Sequence, residues 1–281
     1  MSERRACLAV EQHRSTQRYR AHEPDDEKEL VKAMHELARQ HPRYGHRRIG
    51  ALLRRDGWHV NKKRVQRLWR QEGLKVRSKA RKRKRLGSSK NACTRRRAKR
   101  KNQVWSYDFV HDLTESGHQL KFLTVVDEFT RESLAVEVAY SFKAKDVLVV
   151  LERLARERGA PEFIRSDNGP EFIAAAVVAW LEQHGSNTAF IQPGAPWENA
   201  YIETFNGKLR DELLDREMFT CLAEAQHLAR EYRIQYNHER PHSSLGYRTP
   251  AEFASGHSPS GSATLRLRAN ARSSSQPVRL S

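Results

Sequence analysis

Residues 104–110, VWSYDFV, alternate as a strand does: Trp105, Tyr107 and Phe109 fall on one face, and Ser106, Asp108 and Val110 on the other. An acid in the middle of such a strand is costly if buried without a partner, and a metal ion is a good partner. Two further acids stand in comparable settings. Asp167 ends the short strand-like run Phe163–Ser166 at an Asn168-Gly169 turn, where the chain can reverse and leave the side chain at a sheet edge. Glu203 follows it with 35 residues between, on a helix expected from about Trp197 to Leu214. On that helix Ile202, Phe205 and Leu209 form the apolar stripe. Glu203 is rotated off it, with Asn199 one turn before and Arg210 two turns after on nearly the same face. Carboxylates from two strand ends and one helix can converge on a pair of Mg²⁺ ions, which prefer oxygen ligands.

Position alone does not single these acids out, because residues 102–254 hold 24 of them. Asp108 could be a strand-edge surface acid and Glu203 a solvated helix residue. Glu171 is a further candidate ligand, although its place three residues after Asn168 suits a cap of the following turn.

The chain of 281 residues carries a formal charge of +18, unevenly distributed. Residues 77–101 contain 14 Lys and Arg and no acid, and residues 1–76 are also net basic. The stretch 102–254 is net acidic, with 15 basic residues against its 24 acids. Basic segments flanking an acidic body suggest that separate parts grip a phosphate backbone and perform the chemistry. Three scattered cysteines, Cys7, Cys93 and Cys221, provide neither a disulfide framework nor a paired zinc motif. A reducing cytosolic setting fits, and structural zinc does not. No apolar run reaches the roughly 18 residues of a membrane span.

Three helices are expected early. Residues 25–40 place Leu30, Val31, Met34, Leu37 and Ala38 at helical spacing; His46–Asp56 points Ile49, Leu52 and Leu53 inward with Gly57 as its cap; Asn61 caps a third helix that Gly73 stops. Lys62, Lys63, Arg64 and Arg67 of the third helix face outward. Short helices on a tight connection, the last one basic, look like a helix-turn-helix module that binds DNA, against the plainer reading of a helical bundle with a solvated basic face. From 102 onward, strands are expected at Val104–Val110, Leu120–Val126 and Leu134–Val138 as an antiparallel meander. Helices follow at Lys145–Arg158, Ala174–His184 and Leu222–Tyr236, with a last short strand at Thr188–Ile191. Thr249-Pro250-Ala251-Glu252 is a capping box with Pro at the first helical position. The parts are then an N-terminal segment (1–24), the helical module (25–76), a basic linker (77–101), the core with a C-terminal helical extension (102–254) and a tail (255–281) of disordered composition.

WSYDF (105–109), SDNGPEF (166–172) and PGAPWENAYIETFNGKLRDELL (193–214) resemble the integrase-type catalytic core of bacterial insertion-sequence transposases of the OrfB type. The leading HPRYGHRRIGALLRRDGWHVNKKRVQRLWRQEGLKV (41–76) and the trailing YNHERPHSSLGYRTPAEF (236–253) resemble that family's flanking segments. The resemblance implies an α/β, RNase H-like core, a mixed five-stranded sheet flanked by helices, behind the all-α helix-turn-helix module. It implies that Asp108, Asp167 and Glu203 are the Asp-Asp-Glu triad that holds two Mg²⁺ or Mn²⁺ ions. Unlike retroviral integrases, the chain shows no His-His-Cys-Cys zinc arrangement near its N-terminus.

The chemistry expected is cleavage and strand transfer without a covalent enzyme intermediate: an activated water frees a 3′-OH at the element's end, and that 3′-OH attacks another phosphodiester in line. Asn199, Lys208 and Arg210 are candidates to position DNA beside Glu203, against a reading as ordinary surface polarity. The partners implied are the element's terminal repeats and target DNA, and synapsis of two ends implies a homo-multimer. Such chains are often fused to an upstream-frame DNA-binding protein, and no leucine-zipper heptads are seen here. Two rivals differ in class: a nuclease of the same fold that cuts without joining, and a DNA-binding regulator without chemistry. His238, within Asn237-His238-Glu239-Arg240, could be taken for a general base, but that segment is expected to pack or to contact DNA.

Overall fold

The computed structural model describes residues 2–19, 25–76, 97–166, 175–188 and 199–256. They divide into two compact units. The first comprises residues up to Arg96 with Glu203–Phe219 and Pro241–Tyr247; the second comprises Arg97–Ile202, Thr220–Arg240 and Arg248 onward.

The second unit is built on a five-stranded sheet: β1 (Val104–Leu113), β2 (Gln119–Asp127), β3 (Ser133–Ala139), β4 (Phe163–Arg165) and β5 (Asn187–Thr188), in the order β3-β2-β1-β4-β5. β1, β2 and β3 form the expected antiparallel meander, while β4 lies parallel to β1 and β5 parallel to β4. A parallel neighbour cannot be reached by a hairpin, and the helix Ala144–Arg158 supplies the crossover. The face of β1 that carries Trp105 and Tyr107 packs, with Leu123 and Val125, against Val147, Leu151 and Leu154 of that helix and Trp180 and Leu181 of the helix Ala175–Gln183.

The opposite face holds buried charge. The Ser106 hydroxyl donates to the Glu128 carboxylate, which also pairs with the Arg165 guanidinium; the side chains of this ion pair are 0% and 5% exposed. Ser106 and Arg165 are direct neighbours in the parallel register. Asp127 is equally buried, and its carboxylate accepts the backbone N–H groups of Asn102, Phe129 and Thr130. These two acids are therefore committed to holding the sheet and its β2–β3 turn.

β3 is an outer strand, and an open strand edge is a template for unwanted pairing. The helix Leu222–His238 packs along it and satisfies its backbone with side chains. The Asn237 carboxamide accepts the Ser133 N–H and donates to the Ser133 carbonyl, both at 2.8 Å, and Gln226 donates to the Val138 carbonyl at 2.9 Å. This helix runs two residues beyond the predicted Tyr236, which keeps Asn237 in line with the strand.

In the first unit, the helices Glu27–Gln40, His46–Arg55 and Lys62–Gln71 enclose Leu30, Met34, Ile49, Leu53, Val65 and Trp69. Asn61 caps the third through the Lys63 N–H, as its residue type predicts. Gly57 and Gly73 end the second and third helices with φ of +91° and +65°, a region costly for residues with a side chain. Two short helices, Glu3–Ala9 and Arg14–Arg18, precede them and were not expected from the sequence. They lack an apolar period, and two hydrogen bonds from Arg18 to Glu3 join them instead.

Two further expectations are corrected. The expected continuous helix to Leu214 is an α-helix only over Ala200–Leu209 and then a π-helical turn over Arg210–Leu214, closed by the Asp215 N–H on the Arg210 carbonyl at 2.7 Å. The wider turn buries Leu213 and Leu214 while Asp211 and Glu212 meet arginines of the first unit. The last strand is Asn187–Thr188, where 188–191 was expected; residues 189–191 lie outside the described residues, as do 197–198 at the start of the helix. The capping box at Thr249 and Glu252, with Pro250 at its first turn, is formed as read.

Breaking the buried pair by Arg165→Met is expected to cost about 3–5 kcal/mol in urea unfolding, because the buried Glu128 loses the guanidinium that balances its charge, while replacing both partners by apolar residues recovers most of the loss. Asn237→Ala is expected to cost roughly 1–3 kcal/mol by orphaning two buried backbone groups. In the first unit, burial pushes His41 below the ordinary histidine range, opposed by the Glu212 carboxylate, and burial with Arg47 and Arg70 does the same to His46. The folded protein therefore binds a proton on these rings less readily than the unfolded chain, and their contribution is complete above the unfolded value of about 6.5 and lost as pH falls through the lower folded values. Thermal melting from about pH 7.5 to 5 is expected to show a falling Tm whose slope His41→Gln reduces.

Candidate active site

Asp108 occupies the middle of β1 in the second unit, half-buried, opposite Thr124 of β2. Its Oδ1 accepts the N–H of the adjacent Phe109 at 2.8 Å, and its backbone carbonyl accepts the Thr124 hydroxyl of β2 at 3.1 Å, which ties the strand to β2 at this point. Asp167 and Glu171 lie outside the described residues. Glu203 begins the segment that groups with the first unit. It is exposed, while Ile202, Phe205 and Leu209 on its helix are buried, as the apolar period predicts. The Glu203 carboxylate makes no hydrogen bond or ion pair among the described residues.

The expected neighbours of Glu203 differ from one another. Arg210 is exposed and Lys208 half-buried. Asn199 departs from the face read for it: it is 5% exposed, and its Oδ1 is buried with no hydrogen-bond partner among the described residues. The reason is local, since Asn199 sits in a 3-10 turn just before the α-helix begins at Ala200, where the helical spacing used to place it does not hold.

On the third helix of the first unit, Lys62 and Lys63 are exposed. Arg64 and Arg67 are engaged by acids at the start of Glu27–Gln40: Arg64 with Asp26 at 2.6 Å and Glu27 at 3.4 Å, Arg67 with Glu27 at 2.7 Å. Hydrogen bonds from Arg64 hold the Asp26 carboxyl below the usual range, and those from Arg67 do the same for Glu27.

Sequence reasoning missed a second basic group. Arg43 pairs with Asp211 and Arg48 with Glu212 at 3.3 Å, all within the first unit. The signal was present in HPRYGHRR (41–48) and KLRDELLD (208–215), two stretches of opposite charge that only the fold brings together. In the 237–240 segment, Asn237 and Arg240 are buried and His238 and Glu239 exposed, so the buried half of that motif serves packing.

Asp108 and Glu203 offer hard carboxylate oxygens, a donor type suited to Mg²⁺ or Mn²⁺ over softer metals. Among the described residues no group of three or more His, Cys, Asp or Glu is gathered. No helix among them is long and apolar enough to cross a membrane.

Comparison with known proteins gives three family matches: a helix-turn-helix-like domain at residues 24–84 and an integrase core domain at residues 98–196 and again at 184–250. The chain is 45% identical over 258 residues to the 31.7 kDa protein of insertion element IS407 of Burkholderia multivorans, covering 92% of each chain. It is 41% identical over 254 residues to the 39.2 kDa protein of insertion element IS476 of Xanthomonas euvesicatoria, covering 90% of this chain and 72% of that one. It is 31% identical over 242 residues to the transposase InsD of insertion element IS2D of Escherichia coli, covering 81% and 79%. The helix-turn-helix-like and integrase models together imply DNA as the partner. With its mixed five-stranded RNase H-like sheet and its helical N-terminal module, the chain belongs to the insertion-sequence transposases of the OrfB type.

Proposed function

We propose that the chain cuts DNA at the ends of its insertion element and joins them to a target by divalent-metal-dependent strand transfer, with Asp108, Asp167 and Glu203 holding the metal. The observation that carries this reading is the parallel pairing of Ser106 with Arg165. In sequence, Asp108 stands two positions after Ser106 and Asp167 two positions after Arg165, and this matched offset from a parallel pair supports reading the two acids together. The exposed Glu203, with no partner among the described residues, supplies a third carboxylate from a helix.

Two Mg²⁺ ions, when bound, supply the Lewis acidity that lets water and then a 3′-OH act as nucleophile and that stabilises the leaving oxygen. The chain's own residues do the rest. The backbone at Asp108 is tied to β2 by the Thr124 hydroxyl, and the buried Ser106, Glu128 and Arg165 keep β1 and β4 in register. Asn199 has an acceptor left open among the described residues, and Lys208 and Arg210 offer cations on the far side of Glu203, for orienting DNA. Lys62 and Lys63 contact phosphate directly, while Arg64 and Arg67 first exchange their carboxylate partners for it. The DNA taken is the terminal repeats and the target, bound by a homo-multimer that synapses two ends.

Incubating the protein with a labelled duplex that carries the element's end tests this reading. Nicking and joining are expected in Mg²⁺ or Mn²⁺, none in EDTA, and loss of both in Glu203→Gln with end binding retained. Cleavage undiminished in Glu203→Gln would overturn the triad, and cutting without joining would make the chain a nuclease. Replacing Lys62 and Lys63 by Ala is expected to weaken binding of all sequences alike and to make log affinity fall less steeply with log salt, the slope shrinking by roughly 0.9 for each phosphate that is no longer neutralised.

A further inference from the structure

The first unit joins two segments of opposite charge whose paired residues lie 168 and 164 positions apart in sequence. At the turn before the helix His46–Arg55 and on its first turn stand Arg43 and Arg48; on the π-helical turn Arg210–Leu214 stand Asp211 and Glu212. Arg43 pairs with Asp211 at side-chain exposures of 28% and 17%, and Arg48 with Glu212 at 23% and 8%. Asp215 adds a third carboxylate whose charge acts on Arg43. The cations are themselves fixed. The Arg48 guanidinium lies 5.1 Å from the centroid of the Tyr44 ring, and the His41 ring stacks on the same tyrosine at 4.5 Å. Paired, partly desolvated arginines backed by a stacked aromatic pair make a rigid fitting, unlike the freely solvated ion pairs that contribute little.

What they hold is the end of the helix that carries Glu203. That helix passes into the π turn after Leu209, less than two turns beyond Glu203, and this wider turn closes its end. The buried Ile202, Phe205 and Leu209 hold one face of the helix, and the two ion pairs tie down its end against a shift along or about its axis. A carboxylate that must help hold a metal tolerates little of either, since productive sites demand placement within about 0.5 Å.

We infer that Arg43 and Arg48 are positioning residues for Glu203, so that the helix-turn-helix-like module is a structural part of the catalytic machinery as well as a DNA-binding one. This rests on the reading of Glu203 as a metal ligand. The arginines act through Asp211 and Glu212, and they are not contacts to DNA.

The test is a charge exchange in the full chain: Arg43→Asp, Asp211→Arg and the two together. Two quantities are read on each: amide hydrogen exchange over residues 203–215, and the rate of end nicking at saturating DNA with its dependence on Mg²⁺ concentration. Arg43→Asp is expected to speed exchange in 203–215 at least tenfold, to slow nicking at least tenfold and to raise the Mg²⁺ needed for half-maximal rate, with DNA affinity unchanged. The double exchange is expected to restore all of these. Arg48→Gln, a milder change, gives the same pattern at smaller size if Arg43→Asp fails to fold. Unchanged exchange in 203–215, or no recovery in the double exchange, overturns the inference. So does a loss of DNA affinity with the saturated rate intact, which would make Arg43 a phosphate contact. Failure of the triad itself shows separately, as nicking that survives Glu203→Gln; hydrogen exchange still reports on the clamp in that case.

Discussion

The parallel pairing of β1 with β4 is the constraint on which the rest depends, and a buried salt bridge locks it. Glu128 and Arg165 are almost wholly removed from water, and Ser106 adds a third partner. Buried pairs of this kind contribute little net stability relative to apolar residues of the same shape, but a missing partner is severely penalised. Such a network therefore acts mainly on register. Slipping β4 against β1 by one residue would turn Arg165 to the apolar face of Trp105 and take the guanidinium away from Glu128. The register that survives is the one in which Asp108 and Asp167 follow paired positions on neighbouring chains.

Charge is divided by role across the chain. The described acids of the sheet unit include several that are structural: Asp127 on three backbone N–H groups, Glu128 on Arg165, Glu132 on Arg158 and Glu137 on Arg153. In the helical unit the arginines are similarly committed, Arg64 and Arg67 to one helix start and Arg43 and Arg48 to the π turn. A net charge of +18 thus overstates how much cation is available to DNA from any one element. Lys62 and Lys63 at the start of the third helix, both exposed, are the cleaner candidates.

The sheet was legible because its residues follow rules that hold within a few positions. Alternation set the faces of β1, turn residues separated three strands, and the helical period gave Ile202, Phe205 and Leu209 as the buried stripe. Asn61 and the Thr249–Glu252 box set helix starts for the same reason. What was not legible depends on partners far along the chain. The π turn at 210–214 exists where Asp211 and Glu212 meet arginines from residues 43 and 48, and no local period announces it. Asn199 was misplaced because helical spacing was extended back past Ala200, where the helix starts. The short helices at the N-terminus have only Cys7 buried, so they carry almost no apolar signal. At the site, the resemblance carried by WSYDF (105–109) and the 193–214 stretch marked Asp108 and Glu203, while the environment of each came only from the fold.

The central claim is that Asp108, Asp167 and Glu203 surround one metal centre. Iron(II) in place of Mg²⁺, with ascorbate and peroxide, generates hydroxyl radicals that cut the polypeptide beside a bound ion. The account predicts backbone cuts clustered near residues 108, 167 and 203, all three suppressed together by excess Mg²⁺ and by Glu203→Gln. Cuts at only one of these positions, or cuts elsewhere that Mg²⁺ displaces, would contradict it.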